Sequence, residues 1–374
     1  MNAIARYESA LHALSSQNRL RALRPQSGID FSSNDYLALA ASPRLRIAIT
    51  EAMSRGTAIG AGGSRLLRGN HPEHEELEAG AARFFHAERT LFFSSGYAAN
   101  SALFATLPQS EDLVILDELI HASSREGVRS GRAASVESLH NDVASVKDSI
   151  RTWRAAGGLG QIWIAAESLY SMDGDRAPLS DLMTLADKHE AFLVIDEAHA
   201  TGVFGPDGRG LAASLEGRDN VIVLHTCGKA LGGAGALLSL PRVLSDFLVN
   251  RCRAFIFSTA PSPLMAVAAL EALMILKEEP QRRAALESLV AFAGHQAEGH
   301  ALPVSGSQIF PVIIGDDLGV MQIASGLRER GFDVRGVRPP TVPKGTARLR
   351  ISITLNVTEA AIAGLFNALA ELQG

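Results

Sequence analysis

Six short apolar segments separated by stretches of helical character constrain the fold of this chain most strongly. Short, continuously apolar segments between helices are typical of parallel strands that are covered on both faces, because neither face meets water. We therefore predict an α/β fold in which a mostly parallel sheet lies between helices. The segments are Leu91 to Phe93, Val114 to Leu116, Ile162 to Ile164, Phe192 to Ile195, Val221 to Leu224 and Ala236 to Leu238.

The length of 374 residues exceeds the usual size of a single hydrophobic core, so two domains are expected. Residues 1–35 are predicted to form an N-terminal helical arm, in which a polar helix carrying Arg19, Arg21 and Arg24 runs to about Gln26. Residues 36–264 would form the large domain. Residues 265–374 would form a smaller α+β C-terminal domain.

A long helix beginning at Pro263 is predicted to join the two domains, because proline suits the first helical turn and Pro280 then ends the helix. The strands expected beyond it are Phe310 to Ile314, Phe332 to Val334 and Arg350 to Ile353.

The composition is that of a globular protein, with 47% hydrophobic and 20% charged residues. A net charge of −5 gives no electrostatic reason to expect a nucleic-acid partner. The first residues lack the apolar core of a signal peptide, and the apolar stretch Leu264 to Leu276 is too short to span a bilayer. Only two cysteines are present, so a reducing compartment fits, and a soluble, cytoplasmic protein is expected.

Lys229 follows the apolar segment Val221 to Leu224 and is itself followed by small residues and glycines. A lysine at the end of a buried strand is directed towards a pocket, where desolvation lowers the pKa of the amine and makes it a nucleophile towards carbonyls. The aldehyde of pyridoxal phosphate is the carbonyl that this arrangement suggests. The alternative is a surface lysine in a glycine turn.

Asp196 ends a second apolar segment and would supply the carboxylate that such a cofactor needs at its ring nitrogen. His199, three residues further on, could reach the phenolic oxygen of the ring. His121 follows another predicted strand and could stack on the ring. Gly96 and Tyr97 lie where a strand turns into a helix, so their free backbone amides could bind a phosphate.

The sequence Asp196-Glu197-Ala198-His199 has two other interpretations. It also occurs as a helicase box, but the phosphate loop that a helicase requires is missing here, because Lys229 is followed by alanine. A metal site built from these residues and from His71 and His74 is the second alternative. The HPEH sequence around the two histidines lacks the HExxH spacing, so the pattern favours the pyridoxal phosphate interpretation.

Several further motifs occur in a fixed order over nearly the whole chain, and together they resemble the α-oxoamine synthases, fold-type-I pyridoxal-phosphate enzymes. The motifs are FSSNDYL from Phe31, SSGYAAN from Ser94, SMDGD from Ser171, IDEAHATGVFGPDGRG from Ile195, TCGKALGGAGA from Thr226 and RPPTVPKGTARLRIS from Arg338. Relatives often carry an aromatic residue at the position of Cys227. The packing around Cys227 is therefore not predicted by the resemblance, whereas the role of Lys229 is.

The resemblance implies catalytic roles for Lys229 as the Schiff-base lysine, Asp196 as the partner of the pyridine nitrogen and His121 as the ring-stacking residue. His199 and Ser171 would contact the ring oxygen. The phosphate would be bound by Gly96, Tyr97 and Thr226, and by Ser258 and Thr259 of a neighbouring subunit in a homodimer with shared sites.

The resemblance also implies substrate contacts. Arg350 would bind the carboxylate of the amino acid, a bidentate task that lysine performs poorly. The alternative for Arg350 is a solvated residue at a strand edge. Arg21 and Thr341 would contact the acyl substrate, and Asn34 belongs to the predicted substrate site.

Within the family, the late segment most resembles the member that condenses L-alanine with a pimeloyl thioester, carried by coenzyme A or acyl carrier protein, with loss of CO2. Glycine C-acetyltransferase and 5-aminolevulinate synthase, which share the cofactor machinery, remain alternatives. A fold-type-I aminotransferase would share Lys229 and Asp196 but would release no CO2. A non-catalytic scaffold is disfavoured because Lys229 and Arg350 are both present.

Overall fold

A computed structural model describes residues 3–373, so the first two residues of the predicted arm and the last residue of the predicted small domain lie outside the described residues. The chain forms two compact units. The larger unit contains Leu37–Ser171 and Arg176–Arg283. The smaller unit contains the residues up to Tyr36, the short segment Met172–Asp175 and the residues from Ala284 onward.

The larger unit is built around a seven-stranded sheet, with strands numbered along the whole chain and arranged in the order β2-β8-β7-β6-β5-β3-β4. Strand β8 is antiparallel to β2 and β7, and the remaining pairs are parallel, which confirms the predicted mostly parallel sheet. The strands are β2 (Arg89–Phe93), β3 (Leu113–Asp117), β4 (Ala134–Ser138), β5 (Ile162–Glu167), β6 (Phe192–Asp196), β7 (Val221–Thr226) and β8 (Ala236–Leu240).

Alternate residues of the central strands pack into two separate apolar layers. On β6, Val194 joins the layer on one face of the sheet, whereas Leu193 and Ile195 join the layer on the other face. Because side chains alternate across a strand, a strand covered on both faces must be apolar at every position. This burial explains why the strands appear as continuous apolar segments in the sequence. Strand β4 was not predicted, because four of its five residues are exposed.

Helices cover both faces of this sheet. They are α2 (Pro43–Ser54), α3 (Pro72–Phe84), α4 (Gly96–Thr106), α5 (Ala122–Ser130), α6 (Val143–Ala155), α7 (Leu179–Lys188), the 3-10 helix Pro206–Gly208, α8 (Arg242–Arg251), α9 (Arg253–Ile256) and α10 (Pro263–Glu278). Helix α10 begins at Pro263 as predicted. It lies wholly within the larger unit, so the expectation that it joins two domains at residue 264 is wrong. No helix within residues 3–373 is long and apolar enough to cross a membrane.

The smaller unit has the α+β composition expected of it. Its three-stranded antiparallel sheet has the order β11-β12-β9, and a short parallel pair joins β1 to β10. The elements are α1 (Ala5–Ser16), β1 (Ile29–Asp30), α11 (Gln281–Gly299, which begins just before the boundary), β9 (Ile309–Gly315), α12 (Asp317–Glu329), β10 (Phe332–Asp333), β11 (Arg335–Val337), β12 (Ala347–Ser352) and α13 (Glu359–Gln373).

The predicted N-terminal helix is shorter than expected, because α1 ends at Ser16 and not near Gln26. Asn18 has a φ of 56°, a left-handed conformation that does not continue a right-handed helix. Directly after it, the Arg19 guanidinium lies 2.6 Å from the Asp317 carboxylate of α12. This tertiary contact holds the chain in a non-helical path, so Arg21 and Arg24 project from an irregular segment.

A buried acid and a buried imidazole face each other behind β7. His225 Nε2 lies 3.6 Å from Glu216 Oε1, and both side chains are fully buried. The ring of His225 stacks on Phe85, and its Nδ1 lies 2.9 Å from the Thr201 hydroxyl. Burial raises the pKa of Glu216 to about 9 and lowers the pKa of His225 to about 3. Both groups are therefore neutral at neutral pH.

Glu216→Gln should stabilise the protein increasingly as the pH rises. Between about pH 4.5 and about pH 9 the unfolded chain releases the Glu216 proton while the native state retains it, so wild-type stability falls with rising pH. Glutamine keeps the shape and has no proton to lose. The free energy of unfolding is measured in urea for the variant and for wild type at both pH values. The value for the variant minus the value for wild type should be at least about 1 kcal/mol larger at about pH 8.5 than at about pH 5.5.

The exposed substitution Glu329→Gln serves as the control and should show no such trend. If the free energies of unfolding of Glu216→Gln and wild type differ by the same amount at both pH values, Glu216 is ionised in the native state.

Candidate active site

Lys229 lies in the loop after β7, close to an imidazole. Its Nζ is 2.6 Å from His199 Nε2, and the lysine side chain is half-buried. The loop needs glycine at Gly232, where φ is 66° and a Cβ would lie 2.3 Å from the backbone of Leu39. The tight turn keeps the amine beside buried residues, so the geometry does not fit a surface lysine.

Asp196, the last residue of β6, is held by two hydrogen bonds in a buried position. Asn100 Nδ2 donates to Oδ2 at 2.7 Å, and the backbone amide of Ala198 donates to Oδ1 at 2.9 Å. The residue is only 7% exposed. A carboxylate that accepts two hydrogen bonds in a buried site is oriented before any ligand arrives, as a partner for a protonated ring nitrogen must be.

Asn100 is a site residue that the sequence interpretation missed. It lies on α4, and its amide also donates to the hydroxyl of Ser123 at 3.0 Å. The residue was visible as the last letter of the SSGYAAN motif. Its role was not visible there, because the contact with Asp196 joins positions that are 96 residues apart.

His121 caps the N-terminus of α5, where its Nδ1 lies 2.7 Å from the hydroxyl of Ser123. The ring is exposed and meets Tyr97 edge to face at a centroid distance of 6.4 Å. Desolvation lowers the pKa of His121 further than the Asp196 charge raises it, and Lys229 also lowers it. The imidazole is therefore neutral at neutral pH, as a ring-stacking role requires.

Glu167, the second residue that the sequence interpretation missed, ends β5 directly beside Asp196 in the strand register. Its Oε2 accepts a hydrogen bond from the backbone amide of Ser171 at 3.1 Å, so it positions the loop that carries the predicted ring contact. Burial raises the pKa of Glu167 to about 8, with the Asp196 charge adding to the effect. The carboxyl is therefore protonated at neutral pH.

The start of α4 provides free backbone donors. Ser95 caps the helix by accepting a hydrogen bond from the amide of Ala98 at 3.1 Å. The amides of Gly96 and Tyr97 precede it in the first turn and donate no hydrogen bond within residues 3–373. Beside them, a Cβ on Gly96 would lie 3.7 Å from the hydroxyl of Thr226. Two amides and a nearby hydroxyl are suitable donors for a phosphate.

Ser258 and Thr259 follow α9 and are exposed, next to Phe257, whose side chain is 73% exposed. The Ser258 hydroxyl donates to the carbonyl of Ala254 at 2.6 Å. Their predicted contact with the phosphate of a neighbouring subunit stays a prediction.

In the smaller unit, Arg350 is buried on β12, the central strand of its sheet, and is 7% exposed. Its guanidinium donates to the Ser352 hydroxyl at 2.6 Å and to the Tyr36 hydroxyl at 3.2 Å. The alternative of a solvated strand-edge residue is therefore wrong. Asn34 is half-buried and accepts a hydrogen bond from Tyr36 at 3.0 Å, so these residues form one polar network.

The structure brings together the two residues predicted to contact the acyl substrate. Arg21 Nη2 donates to the hydroxyl of Thr341 at 3.2 Å, although the two positions are 320 residues apart.

His71 and His74, which the metal alternative involved, have structural contacts. His74 is buried, and its Nε2 lies 2.8 Å from the carbonyl oxygen of Pro261. The amide of His71 donates to His74 Nδ1 at 3.1 Å, which caps α3. Among residues 3–373 no group of three or more histidine, cysteine or acidic side chains is arranged to hold a metal ion.

Residues 26–369 match the family described as aminotransferase class I and II, so the chain belongs to that family. Within it, the chain is 43% identical over 345 residues to a protein named 8-amino-7-oxononanoate synthase from Anaeromyxobacter sp. (strain K), covering 91% of this chain and 85% of the relative. A protein of the same name from Chromobacterium violaceum is 41% identical over 332 residues, covering 88% of this chain and 85% of the relative.

Solved structures agree with this assignment. A serine palmitoyltransferase from S. paucimobilis, solved with a pyridoxal phosphate adduct, has a TM-score of 0.88 at 25% identity, covering 100% of this chain and 98% of that chain. An 8-amino-7-oxononanoate synthase from Francisella tularensis has a TM-score of 0.78 at 28% identity, covering 92% of this chain and 97% of that chain. The fold is that of a fold-type-I pyridoxal-phosphate enzyme.

Pyridoxal phosphate is the cofactor of this protein, and the residues of the larger unit fit it. Asp196 is a buried and oriented carboxylate, Lys229 is a half-buried amine, and the first turn of α4 offers free amides. The ring nitrogen of the cofactor requires a hydrogen-bond acceptor, which Asp196 provides. The aldehyde requires a nucleophile, which Lys229 provides, and the phosphate requires hydrogen-bond donors, which the amides provide.

Asn100→Ala should lower kcat/KM roughly ten- to a hundredfold, because it removes a hydrogen bond to a buried carboxylate. The pH midpoint of the visible absorbance of the lysine-linked cofactor should shift as well, since Asp196 would hold the ring proton less firmly. Spectrophotometric titration and steady-state kinetics measure the two effects.

Ser101→Ala, on the neighbouring position of α4, is the matched control and should leave the absorbance titration unchanged. An Asn100→Ala enzyme with the wild-type titration midpoint and rate would show that Asp196 does not depend on this hydrogen bond.

Proposed function

We propose that this protein condenses L-alanine with a pimeloyl thioester to give 8-amino-7-oxononanoate, CO2 and the free thiol carrier. The observation that carries the reaction class is the Lys229 amine 2.6 Å from His199, in the unit that also holds the buried Asp196. The substrates follow from the relatives at 41% and 43% identity, whose name is that of this synthase.

In this reaction a bond forms between the α-carbon of alanine and the acyl carbon, and the thioester C–S bond breaks. The thiol leaves with a proton, and the bond from the α-carbon to the carboxylate then breaks as CO2 departs. The electron pair left at the α-carbon takes up a proton, which completes the product. When bound, pyridoxal phosphate supplies an aldehyde that links to amines and a ring that stabilises negative charge at the α-carbon.

The residues of the larger unit divide the remaining tasks. Lys229 anchors the cofactor and, once displaced, is the base for the α-proton of alanine. His199, whose Nε2 lies 2.6 Å from the lysine amine, is assigned to the ring oxygen, and Asp196 is assigned to the proton on the ring nitrogen. His121 stacks on the ring, and Ser171, on the loop fixed by Glu167, contacts the ring oxygen.

Phosphate binding is assigned to the first turn of α4 through Gly96 and Tyr97, to Thr226, and to Ser258 and Thr259 of a second subunit. Arg350 and Asn34 are assigned to the amino acid. A buried, planar guanidinium is suited to bidentate binding of a carboxylate. Arg21 and Thr341, which contact each other, are assigned to the acyl substrate.

We also propose a homodimer with shared sites and a cytoplasmic location. The exposed Phe257–Thr259 segment supports the first proposal, because a 73% exposed phenylalanine is suited to a contact with a second chain. The two free, buried thiols of Cys227 and Cys252 support the second, since neither is used in a disulfide.

The holoenzyme should release CO2 from L-alanine only when a pimeloyl thioester is present, and Lys229→Ala should abolish both this release and the absorbance of the lysine-linked cofactor. Lys277→Ala, an exposed lysine on α10, is the control. A panel of glycine with acetyl-coenzyme A, glycine with succinyl-coenzyme A, serine with palmitoyl-coenzyme A, and alanine with a keto acid distinguishes the alternatives. Faster turnover of any of these pairs would overturn the proposal.

Mixing Lys229→Ala chains with chains in which Thr259 is replaced by Glu should restore up to about one quarter of the wild-type activity. Half of the dimers would then contain one chain of each variant, and each of these mixed dimers would carry one intact site and one inactive site. Each variant alone should stay inactive. Failure of the mixture, with chain exchange shown by native mass spectrometry, would place Thr259 outside the partner's site.

A further inference from the structure

Residues 257–262 join α9 to α10 in the larger unit and carry Ser258 and Thr259, and we call them the connector. Thr259 is exposed, and neither its hydroxyl nor its amide has a hydrogen-bond partner within residues 3–373. An irregular segment takes a fixed course only where other parts of the chain hold it. The contacts of the connector therefore decide where the Thr259 hydroxyl points.

Two hydrogen bonds hold the backbone of the connector directly after Thr259. The amide of Ala260 donates to the carbonyl of Gly63 at 2.9 Å. The carbonyl oxygen of Pro261 lies 2.8 Å from Nε2 of His74. Gly63 belongs to an irregular loop, whereas His74 belongs to α3 and is completely buried. The contact with His74 therefore ties the connector to a regular element of the larger unit.

The loop that contains Gly63 is held by the other histidine of the HPEH sequence. His71 Nε2 lies 3.2 Å from the carbonyl oxygen of Ala61, two positions before Gly63. The Ser262 hydroxyl donates to the carbonyl of Ile59 in the same loop. The two histidines thus contact both the connector and the loop alongside it, which gives this motif a task that involves no metal.

The two ring nitrogens of His74 have different roles. The amide of His71 donates to Nδ1 at 3.1 Å, so Nδ1 is an acceptor. In a neutral imidazole the proton then resides on Nε2, which donates it to the Pro261 carbonyl. Burial lowers the pKa of His74 more than the hydrogen bond to Pro261 raises it, so the ring is neutral at neutral pH. Its single proton is therefore committed to the connector.

The His74 ring is also fixed in place. Its centroid lies 6.2 Å from that of the Phe92 ring on β2, and the His71 ring meets it edge to face at 5.8 Å. The amide of Phe92 in turn donates to the Glu78 carboxylate of α3 at 2.8 Å, which links the strand to the helix. A donor held by packing on a helix and a strand is suited to position its acceptor precisely.

We propose that His74 is a positioning residue for the phosphate site of the second subunit, because its Nε2–H group holds the Pro261 carbonyl and so sets the course of the connector at Thr259. The inference rests on the proposed function for the contact of Ser258 and Thr259 with the partner's phosphate. It makes a buried histidine of one chain control cofactor binding in the other chain.

The affinity of the apoenzyme for pyridoxal phosphate, followed by the absorbance of the lysine-linked cofactor, gives the first readout. His74→Phe keeps an aromatic ring beside Phe92 and removes the donor, so the dissociation constant should rise about tenfold. His74→Gln, whose amide nitrogen can reach the Pro261 carbonyl, should restore most of the affinity. Glu76→Ala, at an exposed position of α3, is the control and should match wild type. An unchanged dissociation constant in His74→Phe would overturn the proposal.

Mixed dimers separate this role from a general effect on folding. Both kinds of dimer carry one His74→Phe and one Lys229→Ala substitution, and they are isolated with two affinity tags. In the first kind the substitutions lie on different chains, so the site with the intact lysine receives its connector from the chain with the intact histidine. In the second kind both substitutions lie on one chain, so the site with the intact lysine receives the connector of the variant chain.

The site with the intact Lys229 should bind the cofactor with wild-type affinity in the first kind of dimer and about tenfold more weakly in the second. Because both kinds contain the same substitutions, a general loss of stability cannot produce this difference. Equal affinity in the two kinds would overturn the proposal. Weaker binding in the first kind would overturn it as well, since His74 would then act within its own chain.

Thr259→Ala in place of His74→Phe tests the shared site itself. A difference between the two kinds of dimer with Thr259→Ala, but none with His74→Phe, would overturn the inference and leave the shared site standing. No difference with either substitution would overturn both. If the His74→Phe dimers behave as expected but no pimeloyl thioester releases CO2 from alanine, the proposed reaction fails and the role of His74 stands.

Discussion

The interaction on which the site depends is the hydrogen bond between Asn100 and the buried carboxylate of Asp196. A charged group removed from water is stable only when its surroundings compensate for the lost hydration. The amides of Asn100 and Ala198 provide this compensation at 2.7 and 2.9 Å. The same helix α4 that supplies Asn100 offers its first-turn amides to a phosphate, so one element fixes two parts of the cofactor site.

Parallel strands explain why these groups meet. Asp196 and Glu167 are the last residues of neighbouring strands and are paired in the register, and Lys229 follows the end of the next strand. The carboxyl ends of parallel strands lie at one edge of the sheet, so residues that are far apart in sequence converge there. This proximity changes the protonation of Glu167. Burial and the neighbouring charge of Asp196 raise the pKa of Glu167 to about 8, so its carboxyl is protonated at neutral pH.

The larger unit also contains buried ionisable groups outside this edge. Glu216 and His225 are both neutral at neutral pH. Burial of Glu216 lowers stability as the pH rises from about 4.5 to about 9, whereas burial of His225 lowers stability as the pH falls from about 6.5 to about 3. Glu197, next to Asp196 in the chain, accepts hydrogen bonds from the amides of Leu211 and Ala212 and has its pKa raised by burial to about 7. Acidic side chains at this edge therefore have separate tasks, with Asp196 oriented by Asn100 and Ala198 and Glu197 holding a loop.

The sequence by itself determined the mostly parallel sheet and the start of α10, because strand burial and a proline at the start of a helix are local patterns. Strand-end position is also a local pattern, and it predicts Lys229, Asp196 and His199 as site residues. The sequence did not determine the end of α1, where Asn18 and the contact of Arg19 with Asp317 override helical periodicity. Only the tertiary structure revealed the contacts of Asn100 and Glu167 with the site. Each depends on side chains brought together from distant positions, and a linear pattern carries no information about such distances.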